Sequence, residues 1–142
     1  MKIAIINGPN LNLLGRREPG IYGSKGFDAF LDELKAKYAN ISFEYFQSNI
    51  EGELVDALQK YGKEADGIIL NPAAYTHTSV AIGDAIASID APVIEVHISN
   101  VHAREDFRKI SHVSAKAVGT IAGLGLTGYQ LALDYFISKK SN

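Results

Sequence analysis

The chain has 142 residues, a size for one domain with a full hydrophobic core, and its 46% hydrophobic and 21% charged residues are ordinary for a globular protein. A net charge of -2 leaves no basic footprint for nucleic acid, and the absence of cysteine excludes disulfides, thiolate metal sites and cysteine nucleophiles. With no signal-peptide layout and no apolar run of membrane-spanning length, a single cytoplasmic domain over residues 1–142 is expected, engaging neither membrane nor nucleic acid.

In chain order, Lys2-Ile-Ala-Ile-Ile6 reads as an apolar strand that opens onto Asn7-Gly-Pro-Asn10. Residues 15–26 hold four glycines and a proline without helical or strand periodicity, and are expected to form a lid beside a site. Phe27, Phe30, Leu31, Leu34 and Tyr38 keep the spacing of one helical face. Ile41 to Gln47 alternates as a strand, and Leu54, Val55, Leu58 and Tyr61 mark a second helix that Gly62 is expected to end in a left-handed cap. Gly67-Ile-Ile-Leu70 is a third strand, running into Asn71-Pro-Ala-Ala-Tyr-Thr-His-Thr-Ser79. Ile82, Ala85, Ile86 and Ile89 pattern a third helix. Pro92-Val-Ile94 leads through Glu95-Val96 into His97-Ile-Ser-Asn100. Val118 to Ala122 is a fifth strand, and Leu126, Tyr129, Leu133, Phe136 and Ile137 pattern a last helix.

Strands alternating with helices indicate an α/β domain, a flavodoxin-like three-layer sandwich with a five-stranded parallel sheet. In such a sheet the strand C-termini share one rim, where ligands bind. The polar clusters after three strands therefore converge in space.

The chemistry open to these residues is narrow. No GxGxxG or Walker A pattern occurs, the central strand ends carry Asn7 and Asn71 where a phospho-acceptor module needs an acid, and His77, His97, His102 and His112 show no HExxH spacing. No metal site or cofactor is expected, and every lysine sits where it stays solvated, unsuited to an imine. What remains is acid–base chemistry. A tyrosine such as Tyr22 needs a neighbouring guanidinium to act as a base at neutral pH, and either Arg16 or Arg17 is close enough in sequence. Glu95 and His97, two apart on a strand, face the same side of the sheet, where a carboxylate fixes an imidazole for use as a general acid. Asn10, Asn71 and Ser99 are uncharged groups suited to substrate hydroxyls, a carboxylate or an ordered water. A small-ligand sensor or an assembly protein on the same fold are the competing readings.

Through Asn7-Gly-Pro-Asn-Leu-Asn-Leu-Leu-Gly-Arg-Arg-Glu-Pro, Asn71-Pro-Ala-Ala-Tyr-Thr-His-Thr-Ser, Glu95-Val-His-Ile-Ser-Asn-Val-His-Ala-Arg-Glu and onward through Gly119 to Gly128, the chain resembles type II 3-dehydroquinate dehydratase. The resemblance implies a lyase of the shikimate pathway that dehydrates 3-dehydroquinate to 3-dehydroshikimate without cofactor, by anti elimination through an enolate. It further implies Tyr22 as the base, Arg17 rather than Arg16 as its activator, and Asn10 holding the water at the enolate oxygen. His97 becomes the acid, oriented by Glu95. Asn71, His77, the Ile98–Ser99 segment and Arg108 become the substrate grip. Asp84 is implied to approach a neighbouring subunit's site, in trimers packed into a homododecamer.

Overall fold

The computed structural model describes residues 1–16 and 25–141. Among the described residues nine strands and α-helices follow one another, with only short 3-10 turns between the fourth and fifth strands: β1 (Lys2–Asn7), α1 (Phe27–Lys37), β2 (Ser42–Gln47), α2 (Glu51–Glu64), β3 (Gly67–Asn71), α3 (Val80–Ala87), β4 (Val93–His97), β5 (Gly119–Ala122) and α4 (Thr127–Lys140). The strands form one all-parallel sheet in the order β2-β1-β3-β4-β5. This is the doubly wound flavodoxin-like arrangement, with its change of direction between β1 and β3.

The sheet is buried on both faces, which explains why its central strands read as continuous apolar runs. Ile3, Ile5, Ile69, Ile94 and Val96 pack on the layer containing α1 and α4. Ala4, Ile6, Ile68, Leu70 and Val93 face the opposite layer, made by α2 and α3. On the edge, β2 is only partly buried, as its alternating sequence requires. Among the described residues no helix is long and apolar enough to cross a membrane.

Two helix ends differ from the sequence expectation. Gly62 does not cap α2, which continues to Glu64, and it has no positive φ. It is glycine because a Cβ there would lie 2.6 Å from the Cβ and Cγ2 of Ile89, so α2 presses directly on the segment after α3. Ile89 itself lies beyond α3, which stops at Ala87 with Ser88 as its C-cap, and contributes to the core from the connection. At its start, α3 is capped by Ser79, whose Oγ accepts the Ile82 N–H at 3.0 Å.

The strands also run further than their apolar residues. Asn7, Asn71 and His97 belong to the ladders, and Asn7 and Asn71 are register partners across β1 and β3. Gly8 continues the pairing by donating its N–H to the Asn71 carbonyl at 2.7 Å. The polar residues at the rim therefore stand on the sheet itself.

Candidate active site

A cavity of about 270 Å³ opens at this rim. Leu11, Leu13 and Leu14, from the connection after β1, supply an apolar wall. Asn10, Asn71, His77, His97, Ile98, Ser99 and Arg108 all line it, so seven of the residues singled out from sequence meet in one place. Arg104 and Glu105 join them.

At the end of β4 the side chains of Glu95 and His97 meet. His97 Nε2 lies 2.6 Å from Glu95 Oε1. Glu95 is fully buried, and burial alone would push its carboxyl up. The hydrogen bond and charge of His97, with the hydroxyls of Ser114 and Thr76, outweigh that effect and hold it below the usual carboxylate range. Thr76 donates to Oε1 and Ser114 to Oε2, with Thr120 donating to Oε2 at 3.3 Å. An ionised Glu95 accepts from Nε2–H, leaving Nδ1 as the imidazole nitrogen available to the cavity.

His77 stands nearly parallel to His97, ring centroids 6.4 Å apart. Its Nδ1 is 2.7 Å from the Ile110 carbonyl, which can only accept, so Nδ1 carries the proton. Burial, reinforced by the charges of His97 and Arg108, lowers the His77 pKa against the pull of that carbonyl. A neutral His77 therefore keeps Nε2 as an acceptor. Arg108 is steadied by Glu105, whose carboxylate is 2.5 Å from its Nε, and Arg104 Nη1 donates to Ser99 Oγ at 3.4 Å. Together they put positive charge along one wall.

At the β1 and β3 ends the asparagines are held from beneath. Asn71 donates from Nδ2 to Tyr129 Oη at 2.9 Å, and Tyr129 donates to Asn7 Oδ1 at 2.8 Å. Asn10 sits in the left-handed region at φ 69, its N–H donated to Asn49 Oδ1 at 2.9 Å. Asparagine tolerates that conformation better than most residues.

Asp84 does not join this cavity; it is exposed on α3. Tyr22 and Arg17, together with most of the expected lid over residues 15–26, lie outside the described residues. Sequence reasoning passed over Thr76 and Ser114, which bond Glu95, and over Arg104. It counted Tyr129 only as a core position and Asn7 only as part of a polar strand end. A hydroxyl in a connection carries no periodic signal, so Ser114 had none to offer. Among the described residues no group of three or more His, Asp or Glu side chains is placed to hold a metal ion.

Residues 1–137 match the family model described as Dehydroquinase class II. The 3-dehydroquinate dehydratase of Fusobacterium nucleatum subsp. nucleatum is 55% identical, over 96% of this chain and 97% of its own. That of Shewanella woodyi is 56% identical, over 97% of this chain and 93% of its own. The crystal structure of the type II dehydroquinase from Butyrivibrio crossotus superposes with a TM-score of 0.92 at 48% identity, covering 96% of this chain and 97% of that one.

Proposed function

The chain belongs to the class II dehydroquinase family, and from that premise we propose that its cavity dehydrates 3-dehydroquinate to 3-dehydroshikimate, in the shikimate pathway, by a cofactor-free anti elimination through an enolate. The observation that carries the reading is the buried Glu95–His97 pair at the floor of a cavity walled by arginine, histidine and asparagine.

In this scheme Tyr22, ionised beside Arg17, removes the proton next to the substrate ketone. The electron pair moves onto the ketone oxygen, where a water held by Asn10 donates to the growing charge. Stabilising that charge is an electrostatic task for preplaced donors. The enolate then re-forms the carbonyl, the new carbon–carbon double bond closes, and hydroxide leaves from the opposite face. His97, acting as the imidazolium with its Nε2–H held by the Glu95 carboxylate, gives it the Nδ1 proton, so that water departs. Asn71, His77 and the Ile98–Ser99 segment grip the ring hydroxyls and carboxylate, with Arg108 supplying the charge that a carboxylate needs. The loop over residues 15–26 closes on the bound substrate and excludes water, which makes residues 1–142 one catalytic domain with its lid. Asp84, exposed on its helix, reaches the site of a neighbouring subunit in a homododecamer built as a tetramer of trimers, and the enzyme works in the cytoplasm.

Turnover is read directly, because the product is a conjugated enone that absorbs where the substrate does not. The wild-type chain is expected to form it. Tyr22→Phe is expected to lower kcat by about 10³-fold or more while leaving the fold intact, since general base catalysis is worth roughly 10²–10⁴-fold and no other group replaces it. A folded wild-type chain without turnover would sink the enzyme reading, and a Tm rise with shikimate-like ligands would then favour a sensor. Borohydride with substrate should trap no adduct; a covalent label would point to imine chemistry instead.

A further inference from the structure

Both ends of the Asn71 amide are engaged by the protein. Its Oδ1 accepts the Ala73 N–H at 3.1 Å, in a turn that holds Ala73 at φ 51 in the left-handed region. Its Nδ2 donates to Tyr129 Oη at 2.9 Å. A phenol has a single proton, and Tyr129 directs it to Asn7 Oδ1 at 2.8 Å, so toward Asn71 it can only accept. Asn7 in turn donates from Nδ2 to Tyr45 Oη at 3.4 Å. The series Asn71–Tyr129–Asn7–Tyr45 therefore runs in one direction, anchored at the Asn71 end, where reversing the amide would set its NH2 against the Ala73 N–H. Tyr129 has 0% exposure, and burial pushes its phenol far above the ordinary range, so it stays protonated throughout. Its ring packs against Phe27 and Phe30, with centroids 5.0 and 5.9 Å away, a task that phenylalanine would perform equally well. The hydroxyl serves the asparagines.

We propose that Tyr129 is a positioning residue for the dehydration: its hydroxyl fixes the Asn71 amide so that the second Nδ2 N–H is presented to an oxygen of the bound substrate. This rests on the reading of the cavity as the dehydroquinate site. A contact made equally in the ground and transition states moves KM and leaves kcat alone.

The test is a double-mutant cycle with 3-dehydroquinate. Tyr129→Phe should raise KM about tenfold, the worth of one ordinary hydrogen bond, with kcat within about threefold of wild type. Asn7→Ala, which leaves the phenol but removes the acceptor of its proton, should give the same signature, although Asn7 does not line the cavity. In an Asn71→Ala background, where KM is already raised, Tyr129→Phe should change KM no further. Equal losses in both backgrounds would overturn the positioning role while leaving the proposed reaction intact. An unchanged KM in Asn71→Ala would remove Asn71 from the substrate grip, and the role of Tyr129 with it. Should the variants not fold, the wild-type protein decides by NMR. One Asn71 side-chain N–H should exchange slowly with solvent, and exchange of both at the rate of free asparagine would refute the proposal.

Discussion

Glu95 has no solvent contact, yet its carboxylate accepts from His97, Thr76, Ser114 and Thr120. Replacing it with glutamine keeps the shape and removes the charge. One end of the amide then presents N–H groups to donors that need an acceptor, a buried mismatch costing about 1–3 kcal/mol. Glu95→Gln should therefore lower the urea midpoint and reduce kcat by about 10²-fold, because His97 loses the partner that fixes its donor nitrogen. Kinetics and urea titration on the purified variant check both, and a kcat near wild type would remove Glu95 from the acid machinery. The pairing of Glu95 with His97 was readable from their two-residue spacing on a strand. Their three hydroxyl partners were not, since Thr76, Ser114 and Thr120 reach the carboxylate from three separate parts of the chain.

At the scale of elements, the close meeting of the β1 and β3 ends depends on Gly8. A Cβ there would stand 2.6 Å from the Pro72 carbonyl oxygen and 2.8 Å from its carbon, both backbone atoms that cannot swing aside. Gly8→Ala should cost about 1–3 kcal/mol as the two ends are forced apart, with KM rising because Asn71 moves with Pro72. Gly52, in the first turn of α2, has open space around it, with nothing within 4 Å of where an added Cβ would stand. Gly52→Ala should leave KM unchanged and raise stability by up to about 1 kcal/mol through helix propensity. Urea midpoints and KM for the two variants, measured together, distinguish packing at the rim from general backbone stiffening. The elements were legible where burial imposes a pattern. Ile3 and Ile5 against Ala4 and Ile6 divide a strand between two helical layers, and Phe27, Phe30, Leu31 and Leu34 divide a helix between core and water. Gly62 misled because an isolated glycine near the end of an apolar period looks like a cap. Its actual cause is Ile89, a neighbour only in the folded chain.

For the whole molecule, acid should act in two stages. His77 has its pKa lowered, so the fold favours its neutral form, and stability begins to fall as pH drops below the ordinary histidine value of about 6.5. Glu95 also has its pKa lowered, but as an acid: its ionised form stabilises the fold above the ordinary carboxylate value of about 4.3. That contribution is lost as pH falls through the folded value. Urea midpoints taken stepwise from pH 7 to pH 3 should decline in both windows, and Glu95→Gln should shrink the lower step, to which Asp66 and Glu105 also contribute, while keeping the upper. A midpoint that holds constant down to pH 4 would contradict the assignment to His77. The same global view ties the last helix to the cavity. Cavity residues such as Asn10, Asn71, His77, His97 and Arg108 precede α4 in the chain, yet the hydroxyl that bonds Asn71 and Asn7 belongs to Tyr129, on α4. The same helix buries Ala132, Leu133 and Phe136 against Ile3, Ile5, Ile69, Ile94 and Val96, so the orientation of these asparagines is tied to the closing of the core. The amides of Asn71 and Asn7 gain their shared partner only when α4 packs on the sheet.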